Sequence, residues 1–213
     1  MRTDELIRSL ANDVPVVPRS ALGQRLFFGM LAGAAISLLL VATMLGIRPD
    51  LGSAIYSFSF WMKCLYCASL GIGAIGLTAR LARPESFGSR WYWLLAVPIL
   101  LLAGISIGEL AYTPPADWPA IWLGNSWRSC PWLLLLLSMP ILVGLWWSFR
   151  RLAPTRLRLA GAAAGLAAGA WSATLYCLHC PEVSALFVLT WYSLGIGLAT
   201  AIGALLGPRL LRW

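Results

Sequence analysis

Of the chain's 213 residues, 60% are apolar and only 11% are charged, with a formal net charge of +8. A soluble domain carries roughly 45–50% apolar and about 25% charged residues. Here the apolar excess falls in long blocks, which excludes an ordinary water-soluble core. One histidine and eight acids leave little for general acid–base chemistry. No nucleophile elbow, P-loop or dinucleotide fingerprint is present, so no catalytic residue is assigned.

Residues 1–25 form a polar arm. Thr3-Asp4-Glu5-Leu6-Ile7-Arg8-Ser9-Leu10-Ala11 predicts a short helix, with Thr3 as N-cap and acids in the first turn. Leu6, Ile7 and Leu10 share one side of it. At ~12 residues such a helix is marginal alone in water. Val14-Pro15-Val16-Val17-Pro18 then breaks it into an extended tether. A small apolar stripe on a marginal helix suits a segment that folds against a partner or one that lies on a membrane surface. Composition leaves both readings open.

Residues 26–213 are expected to form an all-α membrane domain with six transmembrane helices, at about 26–46, 58–79, 91–111, 132–149, 159–178 and 185–206. Each block is close to the ~20 residues that cross ~30 Å of hydrocarbon as a helix. A barrel would show ~10-residue segments of alternating polarity instead. The first block is longer than a signal-peptide core, follows a 25-residue arm and lacks a small-x-small cleavage site, so it is expected to remain in the mature protein.

The basic balance reports orientation. With the N-terminus cytoplasmic, 13 of the 16 basic residues fall inside: four in the arm, Arg80, Arg83 and Arg90 after the second block, Arg150, Arg151, Arg156 and Arg158 after the fourth, and Arg209 and Arg212 in the tail. Only Arg48, Lys63 and Arg128 fall outside. This is the positive-inside pattern. Nucleic-acid binding is not expected, because no basic face interleaved with aromatics appears. The bilayer is the first partner. Trp91, Tyr92 and Trp93 on one side, and Tyr112, Trp118, Trp122, Trp127 and Trp132 on the other, mark its interfaces.

Small residues recur every four positions: Gly29, Gly33 and Ser37; Gly161, Gly165, Gly169 and Ala173; Gly195, Ala199, Gly203 and Gly207. These read as helix-packing seams. Pro98 and Pro140 should kink the third and fourth helices. Lys63 and Glu109 stand about one turn inside the outer ends of their helices, where they can pair or where Lys63 can snorkel to the surface. So few intramembrane ionisable groups argue against a transporter.

Five cysteines complete the inventory. Cys64 and Cys67 lie inside the second block, where buried inert thiols are expected. Cys130 opens the fourth block, and Cys177 and Cys180 flank His179 in the turn before the sixth. The chemistry open to this set is a disulfide or redox pair, a soft metal ion bound by thiolates with the imidazole, or unrelated interface thiols. Metal candidates are Cys130, His179 and Cys180; Cys177 and Glu182 are possible contributors to sensing.

The chain resembles the NrsF-type negative regulators, bacterial inner-membrane anti-sigma factors that restrain sigma factors of the extracytoplasmic-function class. The resemblance covers nearly the whole chain. It rests on Thr3-Asp4-Glu5-Leu6-Ile7, Arg48-Pro49-Asp50-Leu51, Trp61-Met62-Lys63, Trp127-Arg128-Ser129-Cys130 and above all Leu178-His179-Cys180-Pro181-Glu182, followed by Trp191-Tyr192. It implies a chain anchored in the inner membrane with both termini cytoplasmic. It implies that Asp4, Leu6, Ile7 and Leu10 hold an extracytoplasmic-function sigma factor, and that Cys130 and Cys180 sense metal or oxidation at the outer face. No cofactor is required, beyond a transient metal ion at those thiols. Cys64, Cys67 and Cys177 fall outside the family pattern. A membrane thiol oxidoreductase and a small transporter are the alternatives; the first needs cycling thiols and the second a wet polar path.

Overall fold

The computed structural model describes Thr3, Glu5 and residues 21–81, 90–149 and 156–210. Among these no strand occurs. Helix α1 (Ala21–Leu40) runs into a π-helical turn, Val41–Leu45. Then come α2 (Phe58–Leu81), α3 (Arg90–Tyr112), α4 (Cys130–Phe149) and α5 (Leu157–Tyr176). Helix α6 (Ala185–Leu210) contains a second π turn, Val188–Tyr192. Short helices Leu51–Ala54 and Trp118–Leu123 lie in the α1–α2 and α3–α4 connections. Thr3 and Glu5 are helical. Asp4, Leu6, Ile7 and Leu10 lie outside the described residues, as do Arg83 and Arg151.

Among the described residues, five helices are long and apolar enough to cross a membrane: Gly23–Leu45 of α1, α2, Trp93–Tyr112 of α3, α4 and α6. Large side chains on their outward faces are bare. Leu39, Leu65, Leu100, Leu101, Ile107 and Leu205 are each more than 60% exposed. In water such a surface would drive aggregation; against lipid tails it costs nothing. Helices suit that setting because every backbone group inside them is satisfied within the segment.

The fifth predicted block, α5, is built differently. It is mostly alanine and glycine, and Ala160, Ala164, Ala167, Ala168, Ala170 and Ala173 are fully buried. It packs against α6, α2 and α4 at once, so protein, not lipid, surrounds it. Its small residues make that approach feasible. A Cβ on Gly161 would collide with the Gly203 carbonyl, one on Gly165 with the Ala199 carbonyl, and one on Gly207 with Leu157. A second seam joins α1 to α4, where Gly29 faces Gly144 and Gly33 faces Ile141. Ser37, on the same stripe, donates to Leu137 O at 2.7 Å. All three stripes in the sequence therefore lie at helix contacts. Pro98 and Pro140 are accommodated without ending their helices, as is Pro208 in α6.

The bundle buries two apolar clusters. One gathers Leu26, Leu81, Ile141, Leu145, Phe149 and the alanines of α5. The other lies at the opposite end and holds Tyr66, Cys67, Cys130, Tyr176, Cys177, Cys180, Phe187 and Tyr192. That second, thiol-bearing end is where the connections at 46–57, 113–129 and 177–184 meet.

Candidate functional site: the loop between α5 and α6

Helix α5 ends where Tyr176 O accepts the N–H groups of both His179 and Cys180, each at 3.0 Å. Pro181 has no N–H and stops any continuation. Ser184 then caps α6. Its backbone is extended (φ −71°, ψ 133°) and its side chain accepts Phe187 N–H. The Ser184 hydroxyl also donates to Glu109 Oε2 at 2.9 Å, and that oxygen accepts Leu186 N–H at 3.0 Å. A carboxylate from α3 thus sits on the first turn of α6, the end of a helix that favours negative charge.

A non-helical segment leaves carbonyls without partners, and at this depth each must find one. Lys63 of α2 supplies them. Its side chain is fully buried and its ammonium donates to Cys180 O at 3.1 Å and to Glu182 O. The two arrangements open to Lys63 from the sequence are both superseded. It neither pairs with Glu109 nor reaches the surface; both residues instead grip the same loop from different helices. Among the described residues the ion pair is Arg48–Asp50. Arg48 Nε donates to Asp50 Oδ1 at 2.7 Å, and Arg48 Nη1 reaches Cys180 O at 3.4 Å. The hydrogen bond to Asp50 raises the Arg48 pKa and lowers that of Asp50.

Glu182 extends the network to α4. Its Oε1 accepts Asn125 N–H at 2.8 Å, Ser126 N–H at 3.2 Å and the Ser126 hydroxyl at 3.1 Å. Gly124 makes the approach feasible. Its φ of +54° is left-handed, and a side chain there would collide with the Glu182 carboxylate. Ser126 O in turn accepts Cys130 N–H at 2.9 Å.

The thiols lie beneath this lattice. Cys67, Cys130, Cys177 and Cys180 are all fully buried, and all five cysteines are free. Cys130 lies near Tyr176 and Cys180 near Tyr192, whose buried hydroxyl has no hydrogen-bond partner among the described residues. The two tyrosine rings are 5.8 Å apart. Cys177 donates its thiol to Ala173 O and lies near Cys64 and Cys67. The structure therefore brings Cys130, Cys177 and Cys180 into one cluster. His179 packs its ring 5.5 Å from that of Tyr176 and takes a backbone partner. Its Nδ1 meets Gly46 O at 2.8 Å, at the end of α1. Among the described residues no three His, Cys, Asp or Glu side chains converge as a metal-ligand set.

A family model described as "Negative regulator of sigma F" (NrsF) matches residues 10–213. A protein of Azospira oryzae named "Probable anti-sigma-F factor NrsF" is 39% identical over the full length of both chains. One of Caulobacter vibrioides named "Anti-sigma-F factor NrsF" is 41% identical, again over all of both. The chain belongs to the NrsF family. No solved structure matches.

For this NrsF-family chain the sequence singled out Cys130, Cys177, His179, Cys180 and Glu182, and all five lie in or against the one loop. Residues that hold the loop were missed: Gly46, Gly124, Ser126, Ser184 and the tyrosine pair. The turn signals at Gly124-Asn125-Ser126 and Gly46-Ile47-Arg48-Pro49 were legible. That both turns close on the same distant segment was not.

Proposed function

We propose that this chain is a membrane-anchored anti-sigma factor that holds a sigma factor of the extracytoplasmic-function class at the inner membrane. The supporting observation is full-length similarity at 39–41% to two proteins named as anti-sigma-F factors. In this reading α5 counts as a sixth, protein-lined span, so that both termini are cytoplasmic and the thiol-bearing end faces outward. The arm is the output element, with Asp4, Leu6, Ile7 and Leu10 as its contact residues. No enzymatic step is required of it.

The input is a signal that acts on Cys130 and Cys180: a two-electron oxidant that removes two protons and two electrons to join them, or a soft metal ion that the thiolates capture. Their common burial beneath the loop supports this reading, because a change at either sulfur has to rearrange packed neighbours. A transporter reading gains nothing from the ionisable groups of α2 and α3, since Lys63 and Glu109 are both committed to holding the loop.

Co-purification tests the output. The full-length chain should retain its sigma factor from detergent extracts, and a chain lacking residues 1–20 should not. Equal retention by both would remove the arm from the mechanism.

A further inference from the structure

Gly46 is held from both sides. Its N–H closes the π turn of α1 on Val41 O at 2.9 Å. Its carbonyl meets His179 Nδ1 at 2.8 Å. A carbonyl only accepts, so Nδ1 carries the proton in this bond. Two residues on, Arg48 N–H donates to Leu178 O at 3.1 Å and the Arg48 guanidinium reaches Cys180 O. The end of α1 is thus bonded to three consecutive residues, Leu178, His179 and Cys180. Gly46 itself has φ +79°, a left-handed conformation in which glycine is favoured.

A π turn holds one residue more than an α turn. Conversion between the two slips the register by one residue, which is ~1.5 Å and ~100° of helix. Such a slip would take α1 to a second discrete arrangement, the kind of two-state element that can carry coupling between distant sites. Val41 anchors the turn in the cluster that also contains Cys130, Cys177 and Cys180.

We propose that His179 is a positioning residue that couples the Cys180 loop to helix α1, by holding Gly46 and with it the π turn Val41–Leu45. The role is distinct from metal ligation, and it gives the loop a route to the helix that follows the arm. The output half rests on the anti-sigma reading; the structural half does not.

The test is hydrogen exchange on the full-length protein in phosphatidylethanolamine–phosphatidylglycerol nanodiscs, with a sigma-dependent reporter in cells. In His179→Ala, exchange across residues 41–48 should quicken about tenfold, the factor for a hydrogen bond near the top of its ordinary net range, while α5 stays protected. His179→Asn places an amide N–H near the position of Nδ1 and should behave as wild type. Should the alanine variant lose protection in α5, His179→Phe takes its place, keeping a ring against Tyr176 without the donor. The reporter should rise with the alanine variant and stay low with asparagine. Unchanged exchange at 41–48, or equal effects of alanine and asparagine, overturns the proposal. So does the expected exchange with a flat reporter, if Leu10→Asp raises that reporter. If Leu10→Asp also leaves it flat, the arm reading falls and the exchange result alone decides the coupling.

Discussion

Glu182 reaches across from the α5–α6 loop to the backbone N–H and hydroxyl of Ser126, whose carbonyl holds the N–H of Cys130. One carboxylate therefore registers the segment bearing Cys180 against the segment bearing Cys130. Glu182→Ala removes a charged acceptor from three donors. Hydrogen bonds to charged groups are worth about 1.5–3 kcal/mol each, though Asn125 is exposed and water can replace part of the loss. A net destabilisation of about 2 kcal/mol is expected, read as a lower unfolding midpoint in detergent. Mercuric cross-linking of Cys130 to Cys180 should slow in parallel. Unchanged cross-linking would mean that the cluster below holds its own register.

Lys63 offers a test that separates a clamp from an ion pair. If it paired with Glu109, exchanging the two as Lys63→Glu with Glu109→Lys would restore stability. The structure predicts no rescue, because each residue serves its own backbone partners: carbonyls at Cys180 and Glu182 for the ammonium, and Leu186 N–H for the carboxylate. Lys63→Met alone leaves Glu182 O without its donor, at about 1–3 kcal/mol for an unsatisfied group, and leaves Cys180 O with only the 3.4 Å contact to Arg48. The measurement is detergent thermal unfolding of the two single variants and the exchange variant.

The α5–α6 seam should tolerate no side chain. Gly165→Val drives a Cβ into the Ala199 carbonyl, which is backbone and cannot rotate away. Overpacking costs typically about 1–3 kcal/mol and occasionally more, and β-branching removes the rotamer freedom that could relieve it. Gly197, on the same helix as Ala199, has open space around it. Gly197→Val should therefore insert and unfold close to wild type. Similar losses at both sites would mean that helix propensity, not contact, sets the effect.

Asp50 carries a pH dependence of known sign. The Arg48 hydrogen bond lowers its folded pKa. A depressed carboxylate contributes stability above its unfolded pKa, near ~4, and loses it as pH falls through the folded value. Asp50→Asn should thus unfold more easily than wild type at neutral pH, and the gap should close in acid. The residue is exposed, so the effect is small. A gap that widens below pH ~4 would contradict the assignment.

What the sequence revealed and what it hid follow from the range of each interaction. The long apolar blocks and the four-residue glycine spacing are local patterns, and they place α1 to α6 and both seams. The character of α5 was less visible. Its alanines read as a span by lack of charge, whereas their role is to let α6, α2 and α4 close around it. The π turns at Val41–Leu45 and Val188–Tyr192 leave no periodic mark, because a single extra residue is absorbed within one turn. At the site, Cys130, Cys180 and Glu182 could be named by type, but their partners could not. Lys63 and Cys180 are 117 residues apart, and only the folded bundle shows that an intramembrane lysine serves carbonyls and not an acid.

Cys130 and Cys180 should behave as one unit. They enter the buried cluster from different segments, each beside one member of the Tyr176–Tyr192 pair. A disulfide between them, or a metal ion on both sulfurs, ties the start of α4 to the loop before α6. Such a tie needs both partners, so Cys130→Ser, Cys180→Ser and the double variant should alter the sigma-dependent response equally. Residues that act through one shared bond are non-additive when removed together. Cys64→Ser is the contrasting control. Cys64 lies near Cys177, further along α2, and its loss should leave the response in place if only the outer pair senses the signal. Cysteine-labelling with mass spectrometry, before and after diamide or a copper salt, identifies the sulfurs that react. If the Cys130 and Cys180 variants give clearly additive effects, two independent thiols are at work. The tie between α4 and the loop then plays no part, and Cys177, with Cys64 and Cys67 nearby, becomes the thiol to follow.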